Sequence, residues 1–304
     1  MRILLILSRP NYPREGACFE HIPQGLPYIA AVLKEAGHKV CGLNLNFDRQ
    51  VNMAYSIKTA IEECQPEAIG LSGLSADFLF VKDAIQIIRR MKPDVPIILG
   101  GGLVSADTEF IFALLRPDVA VLNEGEATIV ELIDCLESGG DLEDVRGIAY
   151  SKSGEIIHTL PRSLISNLDS LPFPEYGLFD IERHFSFTNQ SDNYFHARTR
   201  IDPRILPISG ARGCPYRCSF CWHSTGHKYR QRSIDSIITE IAFFLESYKP
   251  NIYKLYDEVF SVDENRVREF CRRVKEMGAD FQCTGDIFLR LILAGFVIIL
   301  GIDE

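Results

Sequence analysis

The chain has 304 residues and a formal net charge of −9; 46% of the residues are hydrophobic and 24% charged. That length suits two domains of ordinary size, and that composition suits a soluble globular protein with a sizeable core. The negative balance argues against a nucleic-acid or anionic-membrane surface, and no uncharged apolar run reaches the roughly 18 residues a spanning helix needs.

The N-terminus, MRILLILSRP, has the length of a strand and no small-residue cleavage site, so it does not read as a signal peptide. The longest apolar stretch, Leu289–Ile302, contains two glycines and is too short to span a bilayer. Nine cysteines, three of them clustered, point to a reducing compartment and metal binding rather than to a disulfide framework. A cytoplasmic location is the expectation.

The first half alternates short apolar runs with amphipathic segments. Strands are expected at Arg2–Leu7, Lys39–Leu45, Ala68–Leu71, Pro96–Leu99 and Val119–Leu122. Helices are expected at Gly25–Ala36, ended by Gly37, and at Asn52–Cys64, Asp77–Met91 and Ala127–Leu136. Strands alternating with helices imply a doubly wound parallel sheet with helices on both faces. Ligands bind such folds at the edge where strands run into helices. There the sequence places Ser72-Gly73-Leu74, Gly100-Gly101-Gly102 and Glu124-Gly125-Glu126. The dinucleotide fingerprint fails: Ser8-Arg9-Pro10 follows the first strand, and position 105 after the triple glycine is Ser. These glycines are either turn formers of any such fold or a surface that a ligand approaches closely.

Gly147–Tyr150 and Glu155–Ile157 flank Ser153-Gly154 and read as a hairpin. Leu171-Pro172-Phe173-Pro174 has the chemistry of a semi-rigid connection. The domains are therefore expected at 1–145 and 201–304, with hairpin and linker at 146–200; residues 181–203 suggest no role.

In the second half an apolar strand, Ile205–Ser209, leads into Gly213-Cys214-Pro215-Tyr216-Arg217-Cys218-Ser219-Phe220-Cys221. C-x3-C-x2-C wraps three thiolates around one centre. Thiolates are the usual ligands of a [4Fe-4S] cluster, and three rather than four leave one iron open. Zinc held by these cysteines with His223 or His227 is the alternative. After the loop come Tyr229–Ser233, whose arginines 230 and 232 either meet carboxylates or phosphates or, the commoner outcome, lie at the surface, and a helix Ile234–Tyr248 capped by Ser233. A strand Ile252–Tyr256 then ends in Asp257-Glu258, followed by a helix Asn265–Met277 before Gly278. A strand Asp280–Cys283, a helix Ile287–Ala294 and a strand Val297–Leu300 complete a partial βα, TIM-like barrel. Cys271 and Cys283 read as core residues.

GCPYRCSFC resembles the cluster loop of the radical S-adenosylmethionine (SAM) superfamily, C-x3-C-x-aromatic-C, with Phe220 as the aromatic. GGG-x2-S, LNEGEAT and HIPQGLPYIAAVLKEAGHKV are similar to the Rossmann-like cobalamin-binding domain that precedes the radical SAM domain in one large subgroup. The resemblance implies that Cys214, Cys218 and Cys221 hold a [4Fe-4S] cluster. It also implies that Phe220 lies near the adenine and that Asp257 or Glu258 meets the SAM ammonium. Cobalamin would be bound by Ser72, Gly73, Leu74, Gly100, Gly101, Gly102, Glu124, Gly125 and Glu126. No catalytic residue is assigned beyond the cluster. The implied reaction cleaves SAM to a 5′-deoxyadenosyl radical, for methyl transfer or oxidative cyclisation of an unidentified small molecule, with an external donor of flavodoxin or ferredoxin type.

The lower-ligand motif D-x-H-x-x-G is absent around His21, where Phe19 and Gln24 replace Asp and Gly. Fewer strands are expected than the family's barrel has, so the reading includes a truncated frame. The rival readings are a radical SAM protein with a cobalamin-free first domain, and a non-catalytic cluster- or zinc-binding protein.

Overall fold

The computed structural model describes residues 1–9, 22–46, 52–188, 202–223 and 225–285. They fall into two compact units: one built from the segments up to Ile165, Ile22 excepted, together with Pro172–Asp180, the other from Ile22, Ser166–Leu171 and the segments from Ile181 onward.

The first unit is a seven-stranded sheet in the order β2-β1-β3-β4-β5-β6-β7. Its strands are β1 (Arg2–Leu7), β2 (Lys39–Asn44), β3 (Ala68–Ser72), β4 (Ile97–Gly100), β5 (Val119–Val121), β6 (Ile148–Lys152) and β7 (Glu155–His158). The first five are parallel, as the alternation of elements predicts. β1 lies between β2 and β3, and the continuous apolar run RILLIL is what a strand covered on both faces requires. The helices are α1 (Gly25–Glu35), α2 (Met53–Cys64), α3 (Phe78–Met91), α4 (Gly102–Ala106), α5 (Thr108–Leu115) and α6 (Glu126–Ser138). Asn52 caps α2 by accepting from Tyr55 N. On one face Leu4, Ile6, Ile69, Leu71, Ile97 and Leu99 pack against Ile57, Ile61, Val81, Ile85, Ile88 and Phe112. Each such side chain contributes about 1.5–3 kcal/mol on burial.

Three features of this unit depart from expectation. The triple glycine runs directly into α4 and then α5. The segment TEFIFALL is apolar almost throughout, so it carries little periodic contrast, but Asp107 caps it by accepting from Phe110 N. The hairpin β6–β7, expected within the connecting segment, extends the sheet by pairing antiparallel with β5. Finally, Cys41 on β2 and Cys64 at the end of α2 form a disulfide, where the cysteine pattern argues for a reducing compartment and metal binding rather than a disulfide framework.

The second unit contains α7 (Ile181–Thr188) and a parallel three-stranded sheet, β12-β11-β8. Its strands are β8 (Ile205–Ile208), β11 (Ile252–Leu255) and β12 (Gln282–Gly285), with α8 (Ile234–Tyr248) and α9 (Glu264–Glu276) between them. Ser233 caps α8 by accepting from Ser236 N, as its position before the helix suggests. Cys283 is buried on β12, and burial pushes its thiol up to about 12; Cys271 is half-buried on α9. A two-residue antiparallel ladder, β9 (Ala211–Arg212) with β10 (Arg230–Gln231), closes the cysteine loop at its neck. The expected helix 287–294 and strand 297–300 lie outside the described residues.

Candidate functional site

The cysteine loop leaves the C-terminal end of β8, where βα folds carry their chemistry. Its entry is fixed at Gly210. A Cβ there would meet Phe260 at 2.9 Å and Ile237 at 3.0 Å, so a side chain at this position would displace them. The Gly210 N–H donates to Asp257 Oδ1 at 2.6 Å. Its carbonyl accepts from Arg232 N at 2.9 Å and from Arg266 Nη2 at 2.8 Å. Arg232 is buried, pairs with the buried Glu240 and donates to Ser209 O at 3.0 Å. Burial pushes the Glu240 carboxyl up, against the pull of Arg232. Arg230 and Arg232 are thus buried rather than exposed. The sequence hides this because Glu240 lies eight residues on, within α8, and meets Arg232 only once that helix has formed.

Within the loop, Gly213 has φ +80°, and a Cβ there would lie 2.5 Å from Lys228 O. The Gly213 N–H donates to Thr225 Oγ1 at 2.7 Å, Cys214 N to Gly226 O at 3.2 Å and Gly226 N to His223 O at 3.3 Å. The turn at the other two thiols is closed by Cys221 N donating to Cys218 O at 3.1 Å. Cys214 is buried, Cys218 half-buried and Cys221 exposed. Three soft thiol donors on one pinned loop suit an iron–sulfur centre chemically. Phe220 is 91% exposed and Trp222 is exposed beside it.

The paired acids divide. Asp257 is buried, and burial raises its carboxyl to about 6 despite the backbone donors of Gly210 and Ala211 and the nearby charges of Arg266 and Arg232. Its carboxylate anchors the loop. Glu258 instead faces the loop: His223 Nδ1 lies 3.4 Å from Oε2, and Thr225 Oγ1 donates to Oε1 at 3.4 Å. One ligand atom each of Cys214, His223 and Glu258 lie within 4.8 Å of one another. Neither Cys218 nor Cys221 is part of that grouping.

In the first unit the expected cobalamin residues gather at one sheet edge. Ser72 is in register with Leu7 on one side and Gly100 on the other. Gly101 has φ +85°, and a Cβ there would lie 2.6 Å from Ser72 Oγ and 2.8 Å from Gly73 O; one on Gly102 would lie 2.9 Å from Leu74 Cδ2. These glycines therefore serve loop-on-loop packing, which Leu103 N completes by donating to Gly73 O at 2.9 Å. Gly100 has nothing nearer than 3.9 Å to such a Cβ, and Leu74 is 60% exposed, so this edge leaves room for a ligand. Glu124 Oε2 accepts from Ile165 N at 2.8 Å, Gly125 packs near Ile29, and Glu126 is buried.

Sequence reasoning missed Asp77 and Ser8. Asp77 Oδ2 accepts from Leu74 N at 2.7 Å and Ser8 Oγ at 3.1 Å, and burial raises its carboxyl. An acid three residues after a loop and just before a helix is the signal that would have found it.

Residues 17–133 match the family model of the B12 binding domain. Over 293 residues the chain is 26% identical to an uncharacterized methyltransferase of Pyrococcus horikoshii, covering 93% of this chain and 59% of that one. Over 281 residues it is 28% identical to the anaerobic magnesium-protoporphyrin IX monomethyl ester cyclase of Synechocystis sp., covering 90% and 53%. Its fold matches the cobalamin-dependent S-adenosylmethionine radical enzyme OxsB, solved with aqua-cobalamin and S-adenosylmethionine bound, at TM-score 0.71 and 20% identity over 92% of this chain and 38% of that one.

The chain matches the B12 binding domain over residues 17–133 and is similar to these enzymes over most of its length.

It spans between half and two thirds of the length of these two curated relatives. The likeness to OxsB is one of fold, and it agrees with a Rossmann-like first unit followed by part of a βα barrel. No helix among the described residues is long and apolar enough to cross a membrane.

Proposed function

We propose that this chain carries the cobalamin site and the cluster loop of a radical SAM enzyme that methylates or oxidatively cyclises a small molecule. The observation that carries the reading is the cysteine loop: three thiols on one segment, pinned at its neck, at the C-terminal end of a parallel strand.

In this reading Cys214, Cys218 and Cys221 would hold a [4Fe-4S] cluster at which SAM would bind. When bound, the cluster would supply the electron, drawn from an external flavodoxin or ferredoxin-type donor, for cleavage of SAM, and cobalamin would supply the chemistry of methyl transfer or cyclisation. Glu258 accepts a charge-assisted hydrogen bond from the SAM ammonium. Asp257, spent on Gly210, holds the loop in place. Phe220, with no apolar cover, is available to the adenine. Ser72, Gly73, Leu74, Gly100–Gly102 and Glu124–Glu126 form the edge on which the cobalamin tail lies. His21, outside the described residues, is in no lower-ligand motif.

Anaerobic reconstitution tests this. About four irons per chain are expected, and Cys218→Ala should abolish their uptake; unchanged iron content sinks the reading. Cobalamin absorbance should survive desalting, and its loss favours a first domain without cobalamin. Formation of S-adenosylhomocysteine together with 5′-deoxyadenosine marks methyl transfer, whereas 5′-deoxyadenosine alone marks cyclisation or another outcome.

A further inference from the structure

We propose that Cys214, His223 and Glu258 form a binding site for a single divalent metal ion of the zinc class, and that this ion and the cluster exclude one another because both need Cys214. Only the exclusion rests on the cluster reading above; the metal site stands on its own geometry.

The donor set is one thiol, one imidazole and one carboxylate, the mixture zinc accepts, and three protein ligands leave a fourth position open. The three ligand atoms lie within 4.8 Å of one another. Donors bonded to one zinc ion at about 2.0–2.3 Å sit roughly 3–4 Å apart, so small side-chain adjustments close the site.

The local fold explains why these three meet. Cys214 and His223 are brought together by the hydrogen bonds Cys214 N to Gly226 O and Gly226 N to His223 O. Thr225 links the other two sides, accepting from Gly213 N and donating to Glu258. Outer contacts of this kind orient metal ligands.

A second observation is independent of the spacing. The His223 side chain is nine-tenths buried, and its Nε2 has no hydrogen-bond partner among the described residues. A buried ring nitrogen left unsatisfied is uncommon and needs an explanation. A metal ion supplies one, with Glu258 ligating the same ion or holding the ring through Nδ1. The other grouping of this kind, His38 with Asp134 and Glu137, already encloses a cation: the Met1 ammonium lies 2.7 Å from Glu137 Oε1 and 3.2 Å from His38 Nδ1.

The test is an anaerobic Co2+ titration of the cluster-free chain, read by absorbance. Wild type and the Cys218→Ala/Cys221→Ala double variant should each bind one ion, with a thiolate-to-cobalt band and the ligand-field bands of a four-coordinate site. Cys214→Ser should lose the thiolate band. His223→Gln and Glu258→Gln should each weaken binding by at least about tenfold. Glu258 and Cys221 are exposed, so variants there are expected to keep the fold even if one at buried Cys214 does not. Loss of the thiolate band in the double variant overturns the site, since the metal would then use the cysteine triplet. Wild-type affinity in either His223→Gln or Glu258→Gln also overturns it. Iron reconstitution of the same double variant separates the two readings: a cluster that still forms sinks the cluster assignment and leaves the cobalt result intact. Zinc-loaded wild type should take up no cluster until a chelator removes the metal; uptake without the chelator overturns the exclusion.

Discussion

Arg266 Nη2 donates to the carbonyl of Gly210 at 2.8 Å, and the same nitrogen lies 2.9 Å from the carbonyl of Arg232. Gly210 precedes the cysteine loop and Arg232 follows it, so one guanidinium on α9 ties both ends of the neck.

Arg266→Ala should therefore loosen the neck without touching a cysteine. Hydrogen bonds to a charged group contribute about 1.5–3 kcal/mol each. A loss of about 3 kcal/mol in urea unfolding is expected, with faster amide exchange across residues 210–214 and 228–232. Arg266→Lys should recover part of both. Exchange that is unchanged across the neck in Arg266→Ala would show that the tie is incidental.

Asp257 gives a pH dependence whose sign is opposite to that of an ion-paired acid. Its folded-state value, about 6, lies above the ordinary 3.8, so the folded chain holds the proton more tightly than the unfolded chain. Its contribution to stability is complete below about pH 4 and is lost as pH rises through 6. The total is on the order of 3 kcal/mol. Asp257→Asn keeps an oxygen to accept from Gly210 and removes the titration. Relative to wild type, the variant should gain stability between pH 4 and pH 7 in urea unfolding. A difference that stays constant with pH would contradict the assignment.

Gly101→Ala should lower thermal stability because two costs combine. The backbone is left-handed at φ +85°, and the new methyl meets Ser72 Oγ and Gly73 O. About 2–4 kcal/mol is expected from strain and overpacking together. Gly139→Ala is the control. Gly139 has φ +67° but nothing within 4 Å of its Cβ, so about 1 kcal/mol from the backbone alone is expected. Equal losses in the two variants would remove the packing argument.

The Cys41–Cys64 disulfide closes a loop with a sequence separation of 23. A crosslink of that span constrains the unfolded chain by roughly 3 kcal/mol. This pair removes two thiols, so thiol titration of the denatured chain should rise by two on reduction, to nine. Cys41→Ala should lower urea stability by a comparable amount. Nine thiols without reduction would show that the bond does not form in solution.

Much of this was legible in residues whose signal is local. RILLIL announced a central strand, Asn52 and Ser233 announced helix starts, and the cysteine spacing with a strand before it located the loop. What escaped depended on distant partners. Arg232 looked like a surface arginine because its partners, Glu240 within the following helix and the Ser209 carbonyl before the cysteine loop, meet its side chain only once the chain has folded. Gly101 looked like a place for a ligand to approach, yet the nearest demand on it comes from the β3 loop. Asp257 and Glu258 formed one undifferentiated acidic pair, since a sequence does not show which faces inward. α5 was lost because its apolar residues cover more than one face; the hairpin was legible, but its place in the sheet was not, because its antiparallel partner, β5, belongs to a parallel series.

That last pair of acids carries a further consequence. Beyond β11 the chain still alternates inward and outward, with Asp257 and Val259 buried and Glu258 exposed between them. Anchor and outward acid are set apart by the pleat and not by their chemistry. Deleting or inserting one residue between Leu255 and Asp257 would exchange them: the outward acid would turn into the core, and the loop would lose the carboxylate that ties down Gly210. Substitution at either position is a smaller injury than a shift of phase, so the spacing between β11 and this dipeptide is as much a determinant of the site as the acids themselves.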